Sequence, residues 1–323
     1  MVTRRHLMAG SAAWLAAGAS GARAQADWPN RPVKVIVTYP PGGGADTTAR
    51  IIFQKLSEMW GKSFVIDNRG GAGGTIGAAV AAKADPDGYT VMHDATAYSV
   101  NPALYPKLSF DYGKDFEPVF LASLVPNLLV VTPSVEVKTV AGIVELAKKT
   151  PGGLDFASSG NGTLQHLCLE LLRFMAKVPI NHIPYRGGAL ALNDVIAGQV
   201  KYFFSNGSAS VGLVQGGQVK AIAHTGRGRL GTLPDLPAVQ DTIPDFEAYE
   251  WNGVFVPVGT PPEIVRKLNA GLNEVLRQSD IVARFKSLNI DFKENTPQEF
   301  RAFVTAETEK WGKVVREAGI KLG

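Results

Sequence analysis

One stretch near the start of the chain constrains the fold more than any other. It reads Val33-Lys34-Val35-Ile36-Val37-Thr38-Tyr39-Pro40-Pro41-Gly42-Gly43-Gly44-Ala45-Asp46, which predicts a buried strand and then a loop of prolines and glycines. A helix with Asp46 as its N-cap is expected next. Its apolar face is Ile52, Phe53, Leu56, Met59 and Trp60. Free N–H groups and the helix dipole make such a loop an anion site, although an ordinary tight βα turn has the same pattern.

The same pattern of strand, glycine loop and helix follows at once. A strand over 64–67 leads into the loop 68–74 and a small-residue helix over 75–84, and a third strand is expected over 89–93. Strands that alternate with helices predict a parallel α/β sheet. In such a sheet, ligands bind at the carboxyl ends of the strands, where these loops lie.

A second series of units begins after residue 139. A helix over 140–149 and a strand over 155–157 precede the loop 158–163 and a strongly amphipathic helix, and further strands are expected over 182–184, 200–204 and 219–224. The apolar positions of the amphipathic helix are Leu164, Leu167, Cys168, Leu171, Leu172 and Met175. The loop Tyr185-Arg186-Gly187-Gly188 precedes a further helix that is expected to end at Ala197.

Two extended segments, near 120–131 and 251–257, divide these series. Capping boxes at 260–263 and 296–299 then predict two C-terminal helices. We therefore expect an α/β clamshell with two extended hinge crossovers and the ligand between its lobes. Lobe 1 would comprise residues 27–125 and 254–323, and lobe 2 residues 126–253.

Residues 1–26 have the pattern of a secretory signal. Arg4 and Arg5 precede an apolar run, and Ala24-Gln25-Ala26 is a small-x-small cleavage site. Cleavage is expected before Asp27 or before Gln25, after export by the twin-arginine or the Sec route, so the mature protein should be periplasmic. The whole chain has a net charge of +4. Without this segment, 30 basic residues remain against 29 acidic ones, so the charge gives no case for nucleic acid binding.

The sequence contains no complete enzyme motif. The run 71–77 approaches a dinucleotide fingerprint, but Ile76 occupies the position of its last glycine. No pair among the five histidines has zinc-ligand spacing, and Cys168 on an apolar helix face is expected to be a buried thiol. His166 near Ser158 could form a serine–histidine pair or pack locally. We expect neither enzyme activity nor a metal or cofactor.

Several motifs occur together in an order that resembles a known family. They are Tyr39-Pro40-Pro41-Gly42-Gly43-Gly44-Ala45-Asp46, Asn68-Arg69 with Gly71-Ala72-Gly73-Gly74, Pro86-Asp87-Gly88-Tyr89, Ser158-Ser159-Gly160, Pro184-Tyr185-Arg186-Gly187 and Leu233-Pro234-Asp235-Leu236-Pro237. The mature chain thus resembles the Bug/TctC family, the periplasmic solute receptors of tripartite tricarboxylate transporters. The resemblance implies a monomeric two-lobe periplasmic binding fold that captures a small carboxylate for a large and a small membrane permease subunit. The alternatives are a sensory receptor of the same fold without a permease and, less favoured, an enzyme that uses the glycine-rich cleft.

The resemblance also implies which residues bind the ligand. They are Tyr39, Gly42, Gly43, Asp46, Gly73, Gly74, Thr75, Ser158, Ser159, Gly162, Thr163, Tyr185, Gly187, Ser205 and Asn206. The chain departs from the family at Gly70, where a proline is usual, and at Lys201 and Ser205, where acidic residues are common. The position of Ser205 and Asn206 often recognises the distal part of the ligand, so these departures affect ligand identity.

The charge of the ligand has two candidate partners. Arg69 and Arg186 border the loops of the two lobes, and each is either a carboxylate fork or a solvated rim residue. The loops 40–46 and 158–163 contain neither lysine nor arginine. We therefore expect main-chain dipoles at helix N-termini to hold the ligand carboxylate.

Overall fold

The computed structural model describes residues 28–105, 107–317 and 319–321 of the chain. Within this part, the strands are β1 (Val33–Val37), β2 (Phe64–Asn68), β3 (Thr90–Ala95), β4 (Phe116–Val131), β5 (Leu154–Ser158), β6 (Ile180–Pro184), β7 (Tyr202–Asn206), β8 (Lys220–His224) and β9 (Tyr249–Pro257). The helices are α1 (Gly44–Trp60), α2 (Thr75–Ala81), α3 (Ala97–Leu104), α4 (Val140–Lys149), α5 (Leu164–Ala176), α6 (Gly188–Ile196), α7 (Gly207–Gln215), α8 (Pro262–Leu276), α9 (Ser279–Ser287) and α10 (Pro297–Glu317). The signal segment lies outside the described residues.

The strands form two lobes with the same internal order. In lobe 1 the order is β2-β1-β3-β9-β4, with β1 parallel to β2 and β3 and with β9 antiparallel to β3 and β4. In lobe 2 the order is β6-β5-β7-β4-β8, with β5 parallel to β6 and β7 and with β4 antiparallel to β7 and β8. Each lobe therefore brings the carboxyl ends of three parallel strands to one edge.

Two long strands connect the lobes. β4 pairs with β9 from Phe116 opposite Pro257 to Pro126 opposite Tyr249, and then continues into lobe 2, where Asn127–Val131 pairs with β7. The register between β4 and β9 shifts at two irregularities, one between Pro118 and Phe120 and one between Leu121 and Ser123. The α/β class and the two extended crossovers are thus confirmed.

Each lobe has its own apolar core. In lobe 1, Ile52, Phe53 and Leu56 of α1 pack on β1 and on α8, as their helical spacing predicts. In lobe 2, Leu167 and Leu172 of α5 are fully buried in a cluster with the aromatic residues of β5 and β7. Burying each such side chain stabilises the fold by about 1.5–3 kcal/mol, which holds the loops between strand and helix in place.

Helix α10 contributes to both cores. Phe300 and Val304 in its first half pack with Trp251 of β9, whereas Trp311 and Val315 belong to the cluster that contains α5. The C-terminal helix therefore spans the two lobes. The lobe boundaries at residues 125/126 and 253/254 stay a prediction.

The ends of three helices test the expected caps. Asp46 is not the N-cap of α1. The helix begins at Gly44, so Asp46 lies in its first turn, where its carboxylate accepts a hydrogen bond from Gly42 N at 3.0 Å. The capping box at Thr260 is also wrong, since α8 begins at Pro262. The box of α10 is confirmed, with Thr296 N donating to Glu299 Oε2 at 2.7 Å and the reciprocal bond at 3.1 Å.

Candidate ligand-binding site

Two cavities lie where the loop edges of the lobes face each other. The inner cavity has a volume of about 20 Å³, which is room for about one water molecule. Its lining is Tyr39, Pro40, Gly43, Gly44 and Ala45 from lobe 1, Ser159, Gln165, Gly188, Leu192, Ser205, Asn206 and Ala209 from lobe 2, and Glu250 from β9.

The outer cavity continues toward solvent from the same loops. Its volume is about 390 Å³, within the range of small-molecule sites. Its lining is Tyr39, Pro40, Gly71, Ala72, Gly73, Gly74, Tyr105, Ser159, Gly160, Asn161, Pro184, Tyr185 and Arg186. Tyr39, Pro40 and Ser159 belong to both cavities, so the two form one cleft.

The N-terminal ends of four helices meet at the inner cavity. Gly44 begins α1 and Gly188 begins α6, and the N-caps of both helices are glycines without a side-chain hydrogen bond. Asn206 is the N-cap of α7, and Gln165 lies in the first turn of α5. The first N–H groups of a helix have no partner inside it, and those of α1 and α6 also lack a side-chain cap, so this wall of the cavity favours an anion.

Glycines line the contact between the lobes. A Cβ added to Gly44 would lie 2.4 Å from Asn206 Cγ, and one added to Gly73 would lie 2.4 Å from the Asn161 carbonyl oxygen. Side chains at these positions would therefore hold the lobes apart. The loops approach closely because they present bare backbone to each other.

A buried acidic side chain closes the inner end of the cleft. Glu250 is 7% exposed, and Gln165 Nε2 donates a hydrogen bond to its Oε2. Burial raises the pKa of Glu250 above its ordinary value. The side-chain amides of Asn206 and Gln165 face this carboxyl and lower its pKa against the larger effect of burial. The inner end thus presents a buried carboxyl whose partners are neutral amides.

Tyr39 stands between two acidic groups. Burial raises its pKa well above 10, and the charges of Asp94 and Glu250 add to the shift. Asp94 is buried beneath the loop 71–74, where Thr38 Oγ1 donates to its Oδ1 at 2.5 Å and burial raises its pKa to about 7. Tyr39 is therefore a neutral phenol that can donate into the cleft.

Of the residues that the resemblance implied, some line the cleft directly. They are Tyr39, Gly43, Gly73, Gly74, Ser159, Tyr185, Ser205 and Asn206. Three glycines instead lie at the contact between the lobes: Gly42 faces Ala189, Gly162 faces Asn101, and Gly187 faces Pro40.

The other four side chains lie outside both cavities and are held by local hydrogen bonds. Asp46 accepts from Arg50 Nε at 2.9 Å, which with the Gly42 N–H lowers its pKa against the opposing effect of burial. Thr75 Oγ1 donates to Ala72 O, and Thr163 Oγ1 donates to Gly160 O at 2.7 Å while capping α5. Ser158 Oγ accepts from Gly160 N. Their part in binding stays a prediction.

The histidine beside Ser158 is His182, not His166. Ser158 Oγ lies 2.5 Å from His182 Nε2, and the rings of His182 and His166 stack with centroids 4.0 Å apart. Burial lowers the pKa of His166 to about 3 and that of His182 to about 4. Since Ser158 is fully buried, this pair packs lobe 2 and does not face the cleft.

The two arginines have different surroundings. Arg69 is exposed, and its Nε donates to Asp67 Oδ1 at 2.9 Å. Arg186 is exposed and lines the outer cavity only.

Within the described residues, no three His, Cys, Asp or Glu side chains are placed to hold a metal ion, and no helix is long and apolar enough to cross a membrane.

Comparison with known protein families gives a match over most of the chain. The model of the tripartite tricarboxylate transporter family receptor, TctC, matches residues 48–320. The chain belongs to the TctC family. Members of this family are periplasmic solute-binding receptors, related to the Bug proteins.

Similar proteins match this TctC-family chain over nearly its whole length. A UPF0065 protein in the tcbD-tcbE intergenic region of Pseudomonas sp. (strain P51) is 36% identical over 318 residues, which is 98% of this chain and 95% of the relative. The structure of R. palustris Rpa4515 with adipate has a TM-score of 0.89 at 36% identity and covers 91% of this chain and 99% of that one. The periplasmic binding protein BugD has a TM-score of 0.87 at 32% identity, with 91% and 99% covered.

Sequence reasoning missed Gln165 and Glu250 as cleft residues. Glu250 stands out only as a single acid in an apolar strand, and Gln165 only as a polar residue in the first turn of an apolar helix. They lie 85 residues apart and meet only because β9 runs past the start of α5. The available signal was an acidic residue directly before the extended segment that the sequence predicts over 251–257.

Proposed function

We propose that this receptor captures a small carboxylate between its lobes in the periplasm and delivers it to the large and small membrane subunits of a tripartite tricarboxylate transporter. The observation that carries the proposal is the meeting of four helix N-termini at an inner cavity whose lining contains neither lysine nor arginine. Helix N-termini stabilise an anion by about 0.3–1 kcal/mol each when exposed and up to about 2 when partly buried. Several of them together can replace one ion pair.

Two further features support capture by closure. The inner cavity, at about 20 Å³, has room for about one water molecule, so a carboxylic acid can occupy it only when the lobes separate. β4 and β9 are the strands that join the lobes, and bending them would move lobe 2, residues 126–253, as one body. The adipate bound to Rpa4515 supports the choice of a small organic acid.

A thermal-shift screen tests the proposal. The chain from residue 27 onward is heated with acids of three to six carbons, adipate among them, and with the corresponding uncharged amides. A ligand at 100 times its Kd stabilises the folded state by about 2.7 kcal/mol, so a bound acid raises Tm by several degrees and its amide does not. If no acid raises Tm, or if amides act equally, the proposal is wrong.

Transport is tested separately in cells. Deleting the gene for this chain should abolish uptake of the acid found in the screen, and restoring it should return the uptake. Binding without any loss of uptake on deletion would favour a sensory receptor over a transport receptor.

A further inference from the structure

On the basis of the proposed function, we infer that Glu250 selects the ligand. The ligand is then a carboxylic acid that also carries a hydrogen-bond donor, above all an ammonium group, and this donor reaches Glu250 at the inner end of the cleft. A dicarboxylate would place its second carboxylate at the same position.

The position of Glu250 in the fold keeps its side chain in the cleft. It lies on β9, where it pairs in register with Val125 of β4, so its backbone is fixed by the two crossover strands. Its side chain lines the inner cavity and is 7% exposed. A carboxylate buried at this depth without a hydrogen-bonding or charged partner would lower the stability of the fold by several kcal/mol.

The partners of Glu250 are neutral donors. Gln165 Nε2 donates to Oε2, and the lining of the inner cavity includes no lysine, arginine or histidine. The Glu250 carboxyl therefore has acceptor capacity that no cation in the lining uses. A ligand ammonium group supplies both the donor and the missing positive charge.

The opposite wall completes the match. The starts of α1 and α6, whose N-caps have no side-chain hydrogen bond, favour a carboxylate. A ligand with a carboxylate toward these helix starts and a donor toward Glu250 satisfies both ends. A second carboxylate toward Glu250 would place two acids together in a site that excludes water, so one of them would have to take up a proton, whereas an ammonium group requires none.

The test uses acids of equal length in parallel. Calorimetry at pH 7 measures Kd for amino acids with the amino group at the α or ω carbon, for hydroxy acids, for unsubstituted monocarboxylates and for dicarboxylates, each of three to six carbons. We expect at least one amino or hydroxy acid to bind tenfold or more tightly than the dicarboxylate and the unsubstituted acid of the same length. Comparison of the amino with the hydroxy acids separates a charged donor from a neutral one.

Glu250→Gln tests whether this selectivity comes from the inner carboxyl. The variant keeps the size of the side chain and should reduce the preference for the amino acid over the dicarboxylate at least tenfold. Glu247→Gln is the control, since it removes one negative charge from the segment before β9, where Glu247 pairs with Arg227 at the surface. It should leave the preference unchanged.

The outcomes distinguish the two proposals. If dicarboxylates bind the unaltered protein as tightly as amino and hydroxy acids, or if Glu250→Gln leaves the preference intact, this inference is wrong while carboxylate capture stands. If no acid of the series binds, carboxylate capture itself is wrong and the inference falls with it. The panel on the unaltered protein decides the question even where Glu250→Gln does not fold.

Discussion

At the scale of single residues, Gly44 shows how closely the lobes meet. It begins α1, and the space where its Cβ would stand is filled by the side chain of Asn206 from lobe 2. Any larger residue must displace that amide. If the proposed closure is correct, this contact forms when the lobes close, so its loss should weaken binding more than it destabilises the fold.

We expect Gly44→Ala to weaken ligand binding tenfold or more, which corresponds to about 1.4 kcal/mol, while Tm without ligand stays within a few degrees. Gly212→Ala is the matched control, because Gly212 lies in α7 with nothing within 4 Å of an added Cβ. Calorimetry with the acid found in the screen measures both. Equal affinities for Gly44→Ala and Gly212→Ala would contradict a role for Gly44 in closure.

The two arginines provide a second prediction at this scale. Because the charge of the ligand is assigned to helix N-termini, Arg69→Gln and Arg186→Gln should each weaken binding well under tenfold, less than about 1.4 kcal/mol. Arg69 is paired with Asp67 and lies outside both cavities, so it serves as the control for Arg186. Loss of binding in Arg186→Gln, with circular dichroism unchanged, would show that this arginine carries the charge.

At the scale of elements, the start of α5 joins stability to the cleft. Thr163 caps this helix by accepting from His166 N, and Gln165 in its first turn reaches Glu250. A loosened cap would therefore move a residue of the inner cavity. Helix α4 offers a comparison, since Thr139 caps it by accepting from Gly142 N at 3.0 Å, outside both cavities.

Thr163→Val and Thr139→Val should each lower the free energy of unfolding by about 1 kcal/mol, the usual loss of a cap. Only Thr163→Val should also weaken binding, by roughly threefold to tenfold, or about 0.7–1.4 kcal/mol. Urea unfolding and calorimetry give the two quantities. Unaltered affinity in Thr163→Val would remove the start of α5 from the binding site.

The stacked histidines of lobe 2 give the protein a dependence on pH. The folded state keeps His182 neutral because burial lowers its pKa to about 4, whereas the unfolded chain takes up a proton near pH 6.5. Stability from this group is therefore present above pH 6.5 and lost as the pH falls toward 4. Asp94 acts oppositely, since its raised pKa stabilises the fold as the pH falls below 7.

His182→Gln isolates this effect. Between pH 7 and pH 4.5 the variant should lose about 1–2 kcal/mol less unfolding free energy than the unaltered protein, because glutamine does not titrate. Urea titrations at four pH values measure the slopes. Parallel slopes for the two proteins would mean that His182 is not held neutral by the fold.

The same elements show how far sequence reasoning reaches. β1, α1 and α5 were predictable because their apolar residues recur at strand or helix spacing within a few residues. The exact start of α1 was not, since the Asp46 side chain turns back to the Gly42 N–H. Gln165 beside Glu250 was beyond reach, because a contact across 85 residues depends on how β9 passes α5.

At the scale of the whole molecule, the lobes are joined by β4 and β9 and spanned by α10. Solution scattering of the chain from residue 27 onward should show a smaller radius of gyration when the acid found in the screen is present at saturation. Gly44→Ala at saturation should contract less. A radius that stays the same in the saturated unaltered protein would contradict a clamshell.

The position of β9 has a consequence for the order in which the lobes fold. Lobe 2 is built from strands that follow one another between residues 127 and 224, whereas β9 fills the gap between β3 and β4 of lobe 1. Until residues 249–257 have been synthesised, neither neighbour has its antiparallel partner there. Domains are usually completed from the N-terminus onward. In this chain the lobe that begins first is the one completed last.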